Sequence, residues 1–451
     1  MSSLIFFLLA LAILITIHEF GHFWVARKCG VKVLKFSVGF GKPLWRKSAK
    51  DGTEYVIAAI PLGGYVKMLD EREGEVAEED LEYAFNRQPL RARVAIVAAG
   101  PIANLLFAVL CYWFIFVLGI PGIRPIIGDV TVNSPAAQAH FIAGDEILTI
   151  NENETPTWMS VQKRMLELSS TGGKADFKVT DGGVETVYQL VIPKVEMGSS
   201  NATTILNDLG ITPVRISLAP VLGHLAADGP AKRAGLMSAD QVLSINGNNI
   251  NDWTELVSIV RASPEKALLI VVKRVDEVLE FSLTPDRVEE NEKGFGRIGA
   301  GVDTSKFEIP PYLQAELRFG PGVALFKAIE ETWNFSSLTI KSLAGMLSGN
   351  LSSKNLGGPI SIAQYAGSSA DRGIVSFVGF LAIISISLGI LNLLPIPILD
   401  GGHLAFYLIE WIRGKPLSDK MQAQGQRIGL ILLLMLMFLA FFNDLSRLFG
   451  Q

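Results

Sequence analysis

A four-span α-helical membrane protein, with two tandem α+β domains inserted between spans two and three, is the fold class this sequence predicts. Three observations predict it. Hydrophobic residues make up 49% of the 451 residues and the mean hydropathy is +0.36, high for a soluble chain. Four stretches, at about 4–25, 94–118, 374–394 and 428–446, are apolar enough to enter a bilayer core of roughly 30 Å. The long region between the second and third stretches contains an internal repeat.

The first stretch, Leu4 to Val25, has no basic segment before it, is interrupted by His18-Glu19, and is followed by no small-x-small cleavage site. It therefore reads as a retained span rather than a signal peptide. The first three stretches reach the ~20 residues a helix needs to cross. The fourth is short unless Phe441–Leu448 extends it. Charge sets the expected orientation. The segment 26–93 carries 13 Lys and Arg, and 401–427 adds Arg413, Lys415, Lys420 and Arg427. Basic residues flanking a span stay cytoplasmic, so both termini and the region 120–372 are expected outside. The net charge of −4 argues against nucleic acid as a partner. The two cysteines, Cys29 and Cys111, lie outside the insert, which therefore folds without a disulfide framework.

The repeat has an offset of 95 residues. Pro125-Ile126-Ile127-Gly128 aligns with Pro220-Val221-Leu222-Gly223, and Asp145 to Asn151 with Asp240 to Asn246. Across 125–158, 11 of 34 positions are identical without a gap, far above the ~6% of unrelated chains of average composition. Each copy reads as a strand, a Gly turn, a Pro-Ala helix start, then G/A-D-x-I/V-L-x-I-N, a helix and a strand pair. The expected pairs are Phe177–Thr180 with Tyr188–Ile192, and Leu268–Lys273 with Leu279–Leu283. These copies resemble the PDZ domain in the permuted form of bacterial proteases. The predicted organisation is an N-terminal membrane region at 1–120 (with a β-hairpin region at 31–92), PDZ-like domains at 121–215 and 216–306, a linker at 307–372, and a C-terminal membrane region at 373–451. Between Val323 and Met346 apolar residues recur at helical spacing, fitting either helices at the membrane surface or domain packing.

Chemistry concentrates in the first span. His18 and His22 are four apart, so a helix projects both imidazoles from one face, with Glu19 beside them. That pattern binds one Zn²⁺ and supplies a general base. Each ionisable residue in a span costs ~2.5 kcal/mol or more to insert, so such residues are functional by default. His18 lies 14 residues after Leu4, or ~21 Å along a helix, nearer the cytoplasmic face. Hydrolysis there needs water, so a polar cavity is expected. Catalytic zinc takes a third protein ligand. Asp400 is the sole carboxylate from Ile374 to Gly402, after Pro395 and Pro397 and before Gly401-Gly402, which bend the chain sharply. His403 is a rival ligand. His140 and His224 lie in the repeat copies and read as surface residues.

His18-Glu19-Phe20-Gly21-His22 in the first span, with Asn392-Leu393-Leu394-Pro395-Ile396-Pro397-Ile398-Leu399-Asp400-Gly401 after the third, resembles the site-2 protease family of intramembrane zinc metalloproteases. The resemblance covers essentially the whole chain. It implies that His18, His22 and Asp400 ligate zinc and that Glu19 is the general base. It implies that Tyr55–Lys67, two strands around Pro61-Leu62-Gly63-Gly64-Tyr65, forms a membrane-associated hairpin that pairs with an extended substrate; a purely structural hairpin is the alternative. Asn392 either holds substrate backbone or mends the broken helix. Asn104 in the second span reads as interhelical packing. The implied substrates are transmembrane segments of single-span proteins already trimmed outside, such as anti-sigma factors in an envelope stress response, or remnant signal peptides. The implied place is a bacterial inner membrane, with the PDZ-like pair outside excluding bulky substrates. The competing readings are a catalytically idle membrane scaffold, a zinc-dependent enzyme of other chemistry, and a metal transporter.

Overall fold

The computed structural model describes residues 2–195, 202–290, 293–303, 309–349 and 357–449. Its packing divides the chain into two units. Met1–Ile120 with Leu317–Gln451 forms one, and Pro121–Glu316 the other.

The first unit is helical. Its long helices are α1 (Ser2–Lys28), α2 (Leu90–Leu118), α3 (Pro321–Leu347), α4 (Pro359–Asp371), α5 (Ile374–Asn392), α6 (Asp400–Arg413) and α7 (Asp419–Phe449). Among the described residues, four helices (α1, α2, α5 and α7) are long and apolar enough to cross a membrane. α5 stops two residues before the expected 394, because Pro395 disfavours helical backbone at the residue before it. The fourth span is not short: its apolar window lies in a 28-residue stretch from Lys420 to Arg447, since the polar turn before Ile428 is helical too. The amphipathic segment near 323–346 is one continuous helix, α3, with Pro321 in its first turn.

α2 is the centre of this unit, packing against α1, α3, α5 and α6. Lipid chains are as apolar as leucine, so close approach of small residues replaces the hydrophobic effect. Ala108, Ala324, Ala328 and Ala382 are fully buried among these helices. Where α1 crosses α2, a Cβ on Gly21 would lie 2.3 Å from the Ala99 carbonyl oxygen, so only glycine permits that approach. At the other end of the bundle Asp444 of α7, 2% exposed, accepts the backbone N–H groups of Gly358, Ile360 and Ser361 and so caps the start of α4.

Between α1 and α2 lie Val33–Ser48 and Glu54–Met68, both extended. The hairpin expected from Tyr55 to Lys67 does not form. Its two halves never pair with each other. Lys35–Val38 runs between them, beside Gly64–Lys67 on one side and Glu54–Ile57 on the other. Glu54–Ala58 pairs in turn with Pro43–Ser48. Gly63, at φ +146° and covered by the Phe40 ring, lies where the chain passes from one half to the other.

The second unit repeats one architecture. Asn153–Glu154, Glu146–Ile150, Gly173–Asp181 and Val184–Ile192 form a sheet in that order; Asn248–Asn249, Gln241–Ile245, Leu268–Arg274 and Glu277–Leu283 form its counterpart. Phe177 faces Tyr188 and Val272 faces Leu279, the strand pairs the pattern predicts. The helices Trp158–Thr171 and Trp253–Arg261 start on side-chain caps from Thr157 and Asp252. Core positions keep the 95-residue offset: Ile127 and Leu222, Ile147 and Val242, Val161 and Leu256, Phe177 and Val272. Each such side chain contributes about 1.5–3 kcal/mol by leaving water.

The two copies differ at one buried charge. Asp145 and Asp240 each accept the N–H three residues back, from Ile142 and Met237. Asp240 also holds the Arg274 guanidinium at 2.7 and 2.8 Å, whereas the aligned position of the first copy is Val179. Burial would raise the Asp240 carboxyl, but Arg274 and the Met237 amide outweigh it and hold it below its ordinary value. Burial wins at Asp145 and pushes it up. The Asp240 pair therefore stabilises its copy above about pH 4 and is lost as pH falls through the folded-state value. At neutral pH, Arg274→Met raises amide hydrogen exchange in Gln241–Ile245 and leaves Glu146–Ile150 unchanged. The difference from the parent shrinks as Asp240 becomes protonated.

Candidate metal centre

α1 is an uninterrupted helix through Lys28, so His18 and His22 share a face one turn apart. Their rings meet edge to face at 4.8 Å between centroids. Asp400 is brought to them by the chain after α5. Gly401 and Gly402 allow this: a Cβ on either would lie 2.2 Å from the Leu394 oxygen or 2.4 Å from the Ile396 oxygen. Ile398, a β-branched residue, is held at φ +131°, strain of a kind that concentrates at functional sites. Asp400 opens α6. That helix is fixed to α2 by a bidentate pair between Arg93 and Glu410, at 2.5 and 3.2 Å, with the Arg93 guanidinium over the Tyr407 ring.

The three side chains form a triangle. His18 Nε2 lies 3.3 Å from His22 Nε2, and the two nitrogens lie 3.2 and 3.5 Å from Asp400 Oδ2. Zinc holds nitrogen and carboxylate ligands at ~2.0–2.2 Å in a tetrahedron, whose edges are then roughly 3.3–3.5 Å. The triangle has that size. Asp400 Oδ2 is buried yet accepts no hydrogen bond of proper geometry among the described residues. A buried carboxylate left so is costly unless it meets a cation. The donor set and the orphaned oxygen both fit zinc, with one tetrahedral position left over.

The expected polar cavity is present. It measures about 960 Å³, with Glu19, His22 and Asp400 on its wall, and Asp70, Arg72, Arg93 and Glu410 elsewhere around it. His403 lines it too but lies outside the three-residue group. Val66 and Met68 also line it. Among the described residues, Gly64–Lys67 has a strand partner on one side only, and a Cβ on Gly64 would come within 3.1 Å of Glu19 Cγ. Tyr65 is partly exposed and stacks on Phe40. The side chains of Pro61 and Leu62 lie outside the described ones. Asn392 ends α5, and its side chain makes no hydrogen bond among the described residues.

The sequence pattern of peptidase family M50 matches residues 6–436. The chain belongs to peptidase family M50. Similar proteins include the Regulator of sigma-E protease RseP of Salmonella typhimurium (strain 14028s / SGSC 2262), 44% identical over 446 residues and 98% of each chain. The Regulator of sigma-E protease RseP of Escherichia coli (strain K12) is 42% identical over 449 residues, 98% of each chain. A Vibrio cholerae protein named as a zinc metalloprotease is 43% identical over 453 residues, 99% of each. The M50 enzyme described here is thus a membrane protease of the site-2 type that uses zinc. The family and the names of these relatives support the protease reading over the scaffold and transporter readings.

Sequence reasoning missed α2's contribution to this site. The Ile96 carbonyl lies 2.8 Å from His22 Nδ1, and the Asn104 amide 3.2 Å from His18 Nδ1. Between them Gly100 faces both rings: a Cβ there would fall 2.3 Å from His22 Nε2 and 2.8 Å from His18 Cε1. The i, i+4, i+8 spacing of 96, 100 and 104 was the available signal. Gly100→Ala is expected to keep a folded yield, since alanine favours a helix by about 0.8–1.0 kcal/mol over glycine. It is expected to lower proteolysis by about 100-fold through displaced imidazoles. Purified yield and single-turnover cleavage of a one-span test protein check this.

Proposed function

We propose that this site-2 protease hydrolyses peptide bonds within transmembrane segments of single-span proteins already trimmed outside the membrane. The observation that carries the reading is the His18–His22–Asp400 triangle opening, with Glu19, onto a polar cavity beside a strand that has, among the described residues, a strand partner on one side only. His18, His22 and Asp400 hold the zinc. When bound, the ion supplies Lewis acidity for activating water and polarising the scissile carbonyl. Glu19 takes the proton of the attacking water and passes it to the departing amide nitrogen.

A transmembrane helix hides its own peptide groups and must unwind to be cut, leaving them in need of partners. The free edge of Gly64–Lys67 offers such partners, with Gly63 and the Pro61-Leu62 approach shaping its entry. Asn392, at the end of α5, is a further candidate for substrate backbone. The duplicated insert reads as two permuted PDZ-like domains, 121–215 and 216–306, with 307–372 linking them to the C-terminal membrane region. Basic flanks support an active site toward the cytoplasm, with both termini and the insert periplasmic, in a bacterial inner membrane. The names of the relatives support a role in sigma-E regulation; the family resemblance extends this to an envelope stress response acting through an anti-sigma factor, with remnant signal peptides as a second substrate class.

Glu19→Gln tests the reading. It should keep one zinc per chain, because Glu19 is not a ligand, while cleavage of a single-span substrate falls about 100- to 10,000-fold. Equal cleavage by Glu19→Gln and the parent protein would remove Glu19 from the mechanism.

A further inference from the structure

A neutral imidazole has one N–H and one lone pair. His18 and His22 turn Nε2 toward Asp400, so binding a metal there requires the proton on Nδ1. Each Nδ1–H then needs an acceptor, and the acceptor fixes both the tautomer and the ring. For His22 the acceptor is unambiguous. Its Nδ1 faces the Ile96 carbonyl at 2.8 Å, and a carbonyl can only accept.

His18 Nδ1 faces a side chain instead, the Asn104 amide at 3.2 Å. Asn104 is 0% exposed. With its nitrogen toward His18, two donors meet in the metal-ready tautomer, and Oδ1 has no partner among the described residues. A half-turn of the amide, which leaves its shape unchanged, places Oδ1 on the Nδ1–H, which replaces the donor–donor contact with a hydrogen bond and turns Nδ2 to the position Oδ1 leaves. The Asn104 backbone is braced for such a task. Its carbonyl accepts the Ser385 hydroxyl at 2.8 Å, and a Cβ on Gly389 of α5 would press to 3.1 Å on the Pro101 carbonyl, so glycine lets that helix close on this turn of α2.

We propose that Asn104 is a positioning residue for zinc. Its side-chain oxygen accepts the His18 Nδ1 proton and thereby keeps the Nε2 lone pair aimed at the metal. α2 thus supplies both acceptors, Ile96 for His22 and Asn104 for His18, on either side of Gly100. The inference rests on His18 being a ligand, as proposed above.

The test is zinc affinity of the purified full-length protein, by competition with a chromophoric chelator. Asn104→Leu keeps the volume and removes the acceptor. It should weaken zinc binding by about 10- to 100-fold. Asn104→Asp restores an acceptor and should bind zinc at least as tightly as the parent. A packing role predicts the opposite order, with leucine tolerated and aspartate harmful. Parent-like zinc affinity in a monodisperse Asn104→Leu protein overturns the inference. So does an Asn104→Asp protein that binds zinc tenfold or more weakly, and that result decides alone if the leucine variant does not fold. His18→Ala separates the two readings. If it retains zinc at parental affinity, the ligand assignment fails; if it loses zinc while Asn104→Leu keeps it, only the role of Asn104 fails.

Discussion

The structure depends on placing one carboxylate against two imidazoles inside a bundle of apolar helices. Asp400 Oδ2 sits 3.2 and 3.5 Å from two Nε2 atoms, buried and without a proper hydrogen bond among the described residues. Such an arrangement fits a cation held between the three side chains. Much of the surrounding sequence serves that placement. Gly21 brings α1 onto α2, Gly100 leaves room for the rings, Gly401 and Gly402 let the chain after α5 fold back, and Arg93 with Glu410 anchors α6. The strained Ile398 backbone belongs to the same fold-back.

How legible was this in the sequence? The three residues of the candidate metal centre were legible because each departs from its surroundings: two histidines at helical spacing in a span, and one carboxylate in a long apolar stretch. The spans were legible because length and hydropathy are local properties. The order of strands before α2 was not. Tyr55–Lys67 reads as a hairpin from turn residues alone, yet its halves flank Lys35–Val38, and that is decided by tertiary pairing. Asn104 escaped for a related reason. An asparagine in a span fits helix packing as well as it fits a histidine partner, and the contact with His18 is visible only once α1 crosses α2. The full fourth span escaped because its first turns, from Asp419, are polar.

The insert illustrates what a duplication preserves. The apolar positions of the two copies keep one offset, because each copy must close the same core. The buried aspartate is kept as well, closing the turn behind the short Pro-Ala helix. Its charge partner is not kept: Arg274 in one copy, Val179 in the other. The shared fold therefore needs the turn-closing carboxylate and not the ion pair. At this aspartate the second copy has an electrostatic dependence the first lacks.

X-ray absorption at the zinc edge of the purified parent protein tests the central claim most directly. The account predicts one zinc with a first shell of nitrogen and oxygen at about 2.0–2.1 Å, imidazole scattering from two histidines, and no sulfur. A sulfur shell near 2.3 Å, or a shell lacking the imidazole signature, would contradict the site built from His18, His22 and Asp400.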